Sequence, residues 1–148
     1  MSLFPDVPVK LVNQNAKLPD SAYDGDAGID LRAACDAVLQ PFERVLVATG
    51  LSMAIPEGYA GFVLPRSGSA IKQGLSLVNA PGLIDSGYRG EIKCILINLD
   101  SKTPIEIKTG DRIAQLVIMR VEQVRLFQVD ELDDTPRGTG GFGSSGTE

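Results

Sequence analysis

RIAQLVIMRV, residues 112–121, and IKCILIN, residues 92–98, decide the fold class. A strand with one wet face alternates apolar and polar residues, because successive side chains point to opposite sides. These two segments are apolar at odd and even positions alike. Both of their faces must therefore be covered, by a second sheet or by another subunit. Gln115 interrupts the first run. If buried, its amide needs partners, since an unsatisfied polar group costs roughly 1–3 kcal/mol. A core glutamine bonded to neighbouring backbone is the plainest reading.

Outward from these segments, short apolar stretches recur between turn sequences. Strands are expected near VPVKLV (7–12), GIDLRAA (28–34), RVLVATG (44–50), LSMAIP (51–56), AGFVLP (60–65), LSLVN (75–79), PIEI (104–107) and VRLFQV (124–129). The intervening DGD, PFE, IPEG, DSGYRGE and KTGD are rich in turn formers. One short helix is expected over SGSAIKQG (67–74), capped by Ser67 and ended by Gly74. The pattern is all-β. After Val129 the chain turns acidic and then Gly/Ser-rich. This divides it into a body, residues 1–130, and an arm, residues 131–148.

Composition removes several kinds of chemistry. The chain has no His, which excludes His-based metal sites, Ser-His-Asp triads and His acid–base catalysis. Its net charge is −5 without a basic run, so it lacks the cationic face that nucleic-acid backbones require. Cys35 and Cys94 lack CxxC spacing, which argues against zinc. They could form one disulfide, but their apolar surroundings favour two buried thiols. The opening MSLFPDVPVK has no apolar signal core, and no apolar run reaches membrane-spanning length. A cytoplasmic location without membrane attachment is the resulting expectation.

Five segments carry polar groups suited to chemistry. In PRSGSA (65–70), Arg66, Ser67 and Gly68 stand where a strand enters the helix, a natural place for an anion. A simple capped helix explains them as well. In GLIDSGYRGE (82–91) a hairpin tip presents Asp85 and Tyr88; Asp85 activates a water there or merely forms an Asx-turn. In DGDAGIDL (24–31), Asp24, Asp26 and Asp30 are either metal ligands or a solvated acidic turn; the spacing does not fit an EF-hand. GDRIAQL (110–116) puts Gln115 beside a turn. RGTGGFGSSG (137–146) offers amides for a phosphate or is a flexible linker.

Taken together and in this order, the five segments resemble the motifs of the homotrimeric all-β dUTP pyrophosphatases (dUTPases), bacterial in type, over residues 22–146. The resemblance implies a distorted jelly-roll or β-barrel subunit of a homotrimer, with one short helix and a flexible Gly-rich arm closing over a site of the trimer. It implies Mg²⁺-dependent hydrolysis of dUTP to dUMP and pyrophosphate, which keeps uracil out of DNA and supplies dUMP for thymidylate synthesis. Asp85 would be the general base for a water attacking the α-phosphorus, with Ser67 and Gln115 at the phosphates. Arg66 and Gly68 would hold the phosphates too. Asn79, Leu83 and Ile84 would read uracil, Tyr88 would pack on the deoxyribose, and Lys93 would touch the ligand. Arg137, Phe142, Gly143, Ser144 and Ser145 would close the site. Asp30 would meet Mg²⁺ through water only. The chain departs from the family at Ser69, where Leu is usual. dCTP deaminase, a nucleotide-bound signalling trimer and a plain β-sandwich binding module are the competing readings.

Overall fold

The computed structural model describes residues 4–20 and 22–145; residues 146–148, at the end of the arm, lie outside them. Two four-stranded antiparallel sheets pack against each other in a distorted jelly roll. In one, β1 (Val9–Leu11), β4 (Arg44–Met53), β8 (Ile92–Asn98) and β6 (Leu75–Leu77) lie in the order β1-β4-β8-β6. In the other, β2 (Ile29–Arg32), β10 (Arg112–Arg120), β5 (Tyr59–Leu64) and β7 (Gly82–Ile84) lie in the order β2-β10-β5-β7. A small ribbon pairs β3 (Ala37–Leu39) with β9 (Ile105–Ile107). The core lies between the sheets, with Leu31, Val47, Leu96, Ile113 and Leu116 fully enclosed.

The two deciding segments are the central strands β8 and β10. Within one chain, each buries chiefly one face. Along β8, Ile92, Cys94, Leu96 and Asn98 are buried, while Ile95 and Ile97 on the other face are only half-buried. In β10, Val117 and Ile118 are likewise half-buried and Met119 is exposed. Thus no second sheet among the described residues completes their cover. Leu46, paired with Ile95, continues this exposed apolar surface.

RVLVATG and LSMAIP, expected as separate strands, form the single strand β4. A β-bulge between Ala48 and Leu51 absorbs the turn-like ATG. Gly50 sits there at φ 71°, in the left-handed region glycine tolerates, and Thr49 Oγ1 donates to Ile92 O at 2.6 Å. The short β3 was not evident in the sequence, because three residues give no period to read. VRLFQV is no strand: it finds no pairing partner among the described residues, and Val124, Leu126 and Phe127 are largely exposed.

The helix α1 (Ser67–Gln73) forms as expected, but Ser67 does not cap it. Arg66 is the N-cap residue, in an extended conformation and without a side-chain cap bond. Ser67 is already helical, so its hydroxyl is not committed to the helix end. Gly74 does end the helix, at φ 68°; a Cβ there would stand 2.9 Å from Asp100 N. Ser69 is half-buried and makes no side-chain hydrogen bond to any described residue, and α1 buries none of its side chains.

Candidate active site

Outside the arm and Asp24, the residues singled out in the sequence gather in two separate clefts. The first, of about 320 Å³, is lined by Asp26, Gly28, Asp30, Arg66, Ser67, Gly68, Arg112 and Gln115. Strand pairing builds it. Antiparallel β2 and β10 place Asp30 opposite Gln115, and β5 places Leu64 opposite Gln115 on the other side. The chain then leaves β5 through Pro65 into Arg66, Ser67 and Gly68. Gln115 Nε2 donates to Pro65 O at 2.9 Å, which fixes the loop to the sheet. The backbone-bonded core glutamine and the cleft-lining glutamine are therefore the same residue in the same conformation.

Asp30 is the electrostatic centre of this cleft. Its Oδ1 accepts from Arg66 Nε at 3.0 Å, and its Oδ2 faces Arg112 Nε at 3.3 Å. Two guanidiniums thus share one carboxylate beside the helix start, with Asp26 also on the cleft wall. Gly68 adds an open approach: a Cβ there would meet nothing within 4 Å. A glycine within a helix costs about 1 kcal/mol relative to alanine. No internal crowding calls for Gly68, and it lines the cleft wall. The arrangement suits a polyanion.

Arg112 was missed in the sequence. GDRIAQL marks it only as a charged residue at the start of a strand, and its partnership with Asp30 exists only once β2 and β10 align. Asp26 is a turn residue, its Oδ2 accepting from Tyr23 N at 3.0 Å. The described residues hold no cluster of three or more carboxylates or cysteines able to cage a metal.

The second cleft, of about 190 Å³, lies under the β7 hairpin. It is lined by Asn79, Leu83, Ile84, Asp85, Tyr88 and Lys93, together with Glu91 and Cys94. The Asp85 side chain is exposed and accepts no hydrogen bond from any described residue, so the Asx-turn alternative does not form; the turn closes through the backbone, Tyr88 N to Asp85 O at 3.1 Å. Tyr88 is fixed. Its hydroxyl donates to Glu91 O at 3.0 Å, and a Cβ on Gly90 would collide with its ring. Glu91 anchors the hairpin base by accepting from Gly50 N at 3.0 Å, and Ser52 Oγ donates to Arg89 O at 2.6 Å. Lys93 lies on β8 opposite Ala48 and pairs with Glu91 at 3.6 Å. Glu91 and Ser52 gave no signal in the sequence, because their partners lie on distant strands.

The described part of the arm lines neither cleft. It makes only local turns, such as Gly140 N to Arg137 O at 3.0 Å, and Arg137 Nε donates to Gly140 O at 2.9 Å. Phe142 is fully exposed, and Gly143, Ser144 and Ser145 stand clear of both clefts. Cys35 and Cys94 are free thiols; Cys94 is buried and desolvation pushes its pKa up to about 12.

The family model described as dUTPase matches residues 14–146. The chain belongs to the dUTPase family. A deoxyuridine 5′-triphosphate nucleotidohydrolase of Nocardia farcinica is 53% identical over 146 residues, covering 99% of this chain and 88% of that protein. One of Corynebacterium glutamicum is 56% identical over 140 residues, covering 93% and 94%. Among solved structures, a Staphylococcus bacteriophage 80alpha dUTPase with dUPNHPP superposes at a TM-score of 0.89 with 33% identity, covering 97% of this chain and 99% of that one. A phage phi11 dUTPase variant, described as coordinating a structural Mg(II) ion, superposes at 0.81 with 29% identity over 88% of this chain and 100% of that one. The all-β expectation and the family resemblance are thereby borne out. No helix among the described residues is long and apolar enough to cross a membrane.

Proposed function

We infer that this dUTPase-family chain hydrolyses dUTP to dUMP and pyrophosphate at a site completed by other copies of itself. One observation carries the reading. β7 runs antiparallel to β5 with Ile84 opposite Gly61, so Asp85 continues toward the start of β5, whereas Arg66 and Ser67 follow its end. At roughly 3.3 Å per strand residue, the two groups lie about 15–20 Å apart. A general base must reach its water within about 3 Å, and that water must reach a phosphorus held by the loop. One chain therefore supplies a hairpin half and a phosphate half that belong to different sites. A closed homotrimer satisfies both halves at every site. It also covers the second faces of β8 and β10 and gives VRLFQV a partner.

In the assembled site, uracil enters the hairpin cleft, where Asn79 and the backbone of Leu83 and Ile84 meet its polar edge. Tyr88, held rigid by Glu91 O and Gly90, packs on the deoxyribose. Lys93 borders the ligand. Asp85, whose carboxylate accepts no hydrogen bond from any described residue, orients and deprotonates the water. Arg66, Ser67, Gly68 and Gln115 from a second chain hold the phosphates, so catalysis is mostly positioning and charge neutralisation. The arm, residues 131–148, closes over the site. Arg137 grips the γ-phosphate, Gly143, Ser144 and Ser145 add hydrogen bonds, and Phe142 stacks on the base, worth roughly 1–3 kcal/mol.

The donor set suits Mg²⁺ carried by the triphosphate. Both Asp30 oxygens already hold guanidiniums, so this carboxylate would touch the ion only through water. The ion would neutralise phosphate charge. The deaminase alternative needs a glutamate working on the base. Glu91 borders the hairpin cleft, but its Oε1 is committed to Gly50 N and its Oε2 to Lys93.

The deciding experiment supplies dUTP and Mg²⁺ and measures pyrophosphate release. Ammonia release from dCTP in its place would reject the reading. A solution mass near three chains is expected from light scattering.

A further inference from the structure

Gly28 has no backbone reason to be glycine. It is not among the described residues with a left-handed φ, unlike Gly25, at φ 89°, in the same loop. Its reason is space. Gly28 and Asp30 share one face of the strand that pairs with β10, because side chains alternate. Gln115, opposite Asp30, lies on that face, so Gly28 is its diagonal neighbour. A Cβ built on Gly28 would stand 2.5 Å from Gln115 Oε1 and 3.4 Å from its Cδ. The Gln115 side chain lies flat across the bare Gly28 backbone and from there donates to Pro65 O.

We propose that Gly28 is a positioning residue: its missing side chain is the seat that aims the Gln115 carboxamide at the phosphate loop. The inference rests on the reading of Gln115 as a phosphate-site residue. The atom in conflict is the tip of a flexible side chain, so an added methyl is expected to displace the amide by about 1 Å rather than disturb the sheet. The Pro65 bond is then lost or redirected, and with it the spacing between Gln115 and Ser67.

The test is a cycle of Gly28→Ala, Gln115→Ala and the double variant, assayed for dUTP hydrolysis with Mg²⁺. A misplacement of about 1 Å can cost on the order of a hundredfold in rate. Gly28→Ala is expected to lower kcat on that scale while leaving the melting curve close to that of the unmodified protein. In the Gln115→Ala background the same change is expected to alter kcat less than about twofold, since the seat is already empty. An equal loss in both backgrounds would overturn the proposal. If Gly28→Ala alone unfolds, the double variant should regain the fold, and a double variant equally unfolded would overturn it as well. An activity-free readout separates this inference from the functional one. The Gln115 side-chain NH₂ signals in a ¹⁵N spectrum, assigned by their loss in Gln115→Ala, should shift in Gly28→Ala. Unmoved signals would defeat the seat even in an active enzyme. Failure of the unmodified protein to hydrolyse dUTP would defeat the functional reading and leave the spectral test standing.

Discussion

Asp30 accepts from Arg66 through one carboxylate oxygen at 3.0 Å while its other oxygen faces Arg112 at 3.3 Å, so a single acidic residue orients both arginines of the phosphate cleft. The Asp30–Arg66 contact joins β2 to the loop after β5, with β10 between them. Asp30 is the more enclosed partner, and Arg66 keeps a solvent-facing edge for a ligand. Replacing Asp30 with Asn keeps the shape but removes the charge that steadies two guanidiniums. About a tenfold or greater fall in kcat/KM for dUTP is expected, on the scale of losing one charged hydrogen bond. Unchanged steady-state kinetics would show that the arginines orient themselves.

The Asp85 side chain accepts no hydrogen bond from any described residue and is therefore available to a water. Asp85→Asn is expected to bind a non-hydrolysable dUTP analogue normally and to turn over at least about a hundredfold more slowly. Calorimetry and pyrophosphate release measure the two separately. Weakened binding with unchanged turnover would assign Asp85 to recognition.

The described residues of the arm line neither cleft in the single chain. Ordering it costs on the order of 1–2 kcal/mol per residue, with glycine the most expensive. It is therefore expected to settle only when a triphosphate and a neighbouring site supply contacts. A chain ending at Pro136 should keep its melting curve and its solution mass but hydrolyse dUTP poorly. Full activity after truncation would make the arm a linker.

Asn98 is fully buried and ties three segments together. Its Nδ2 donates to Leu39 O at 3.1 Å and to Thr103 O at 2.8 Å, and its Oδ1 accepts from Asp100 N at 2.9 Å. Asn98→Ala strands these backbone groups and is expected to cost about 2–4 kcal/mol. Urea denaturation reads the loss. A change below about 1 kcal/mol would mean that water replaces the side chain.

Cys94 gives a pH signature. Desolvation raises its folded pKa from 9.0 to about 12, so the folded state holds the thiol proton more tightly than the unfolded chain does. That contribution is fully present below about pH 9 and is lost as the pH rises toward 12. At the acid end the sign reverses. Asp100 accepts from Lys102 N and Thr103 N, and Asp36 from Thr109 N, which lowers both carboxyls. Their contribution is present above the ordinary carboxylate range and lost as the pH falls through the lowered folded values. At pH 8, iodoacetamide should modify Cys94 only after denaturation, as mass spectrometry of the native and unfolded protein would show. Rapid native labelling would place Cys94 in an open site.

The all-β class was legible in RIAQLVIMRV and IKCILIN because strand periodicity is local. The five ordered segments likewise identified the family, since each keeps its residue types within a few positions. Two-sided apolarity raised a second sheet or a second subunit as the cover, and within the single chain the outer faces of β8 and β10 stay half-bare. Local pattern misled where partners are distant. VRLFQV has strand composition but no strand to pair with among the described residues, and Ser67 has a capping side chain but sits one residue inside the helix. The clamp of Asp30 on Arg66 and Arg112, the rest of Gln115 on Gly28 and the hold of Glu91 on Gly50 were invisible for one physical reason. Each joins residues separated by 36 to 87 positions, and such contacts exist only after antiparallel registers are set. Sequence determined which groups the chain carries; the pairing of β2, β10, β5 and β7 decided which of them meet.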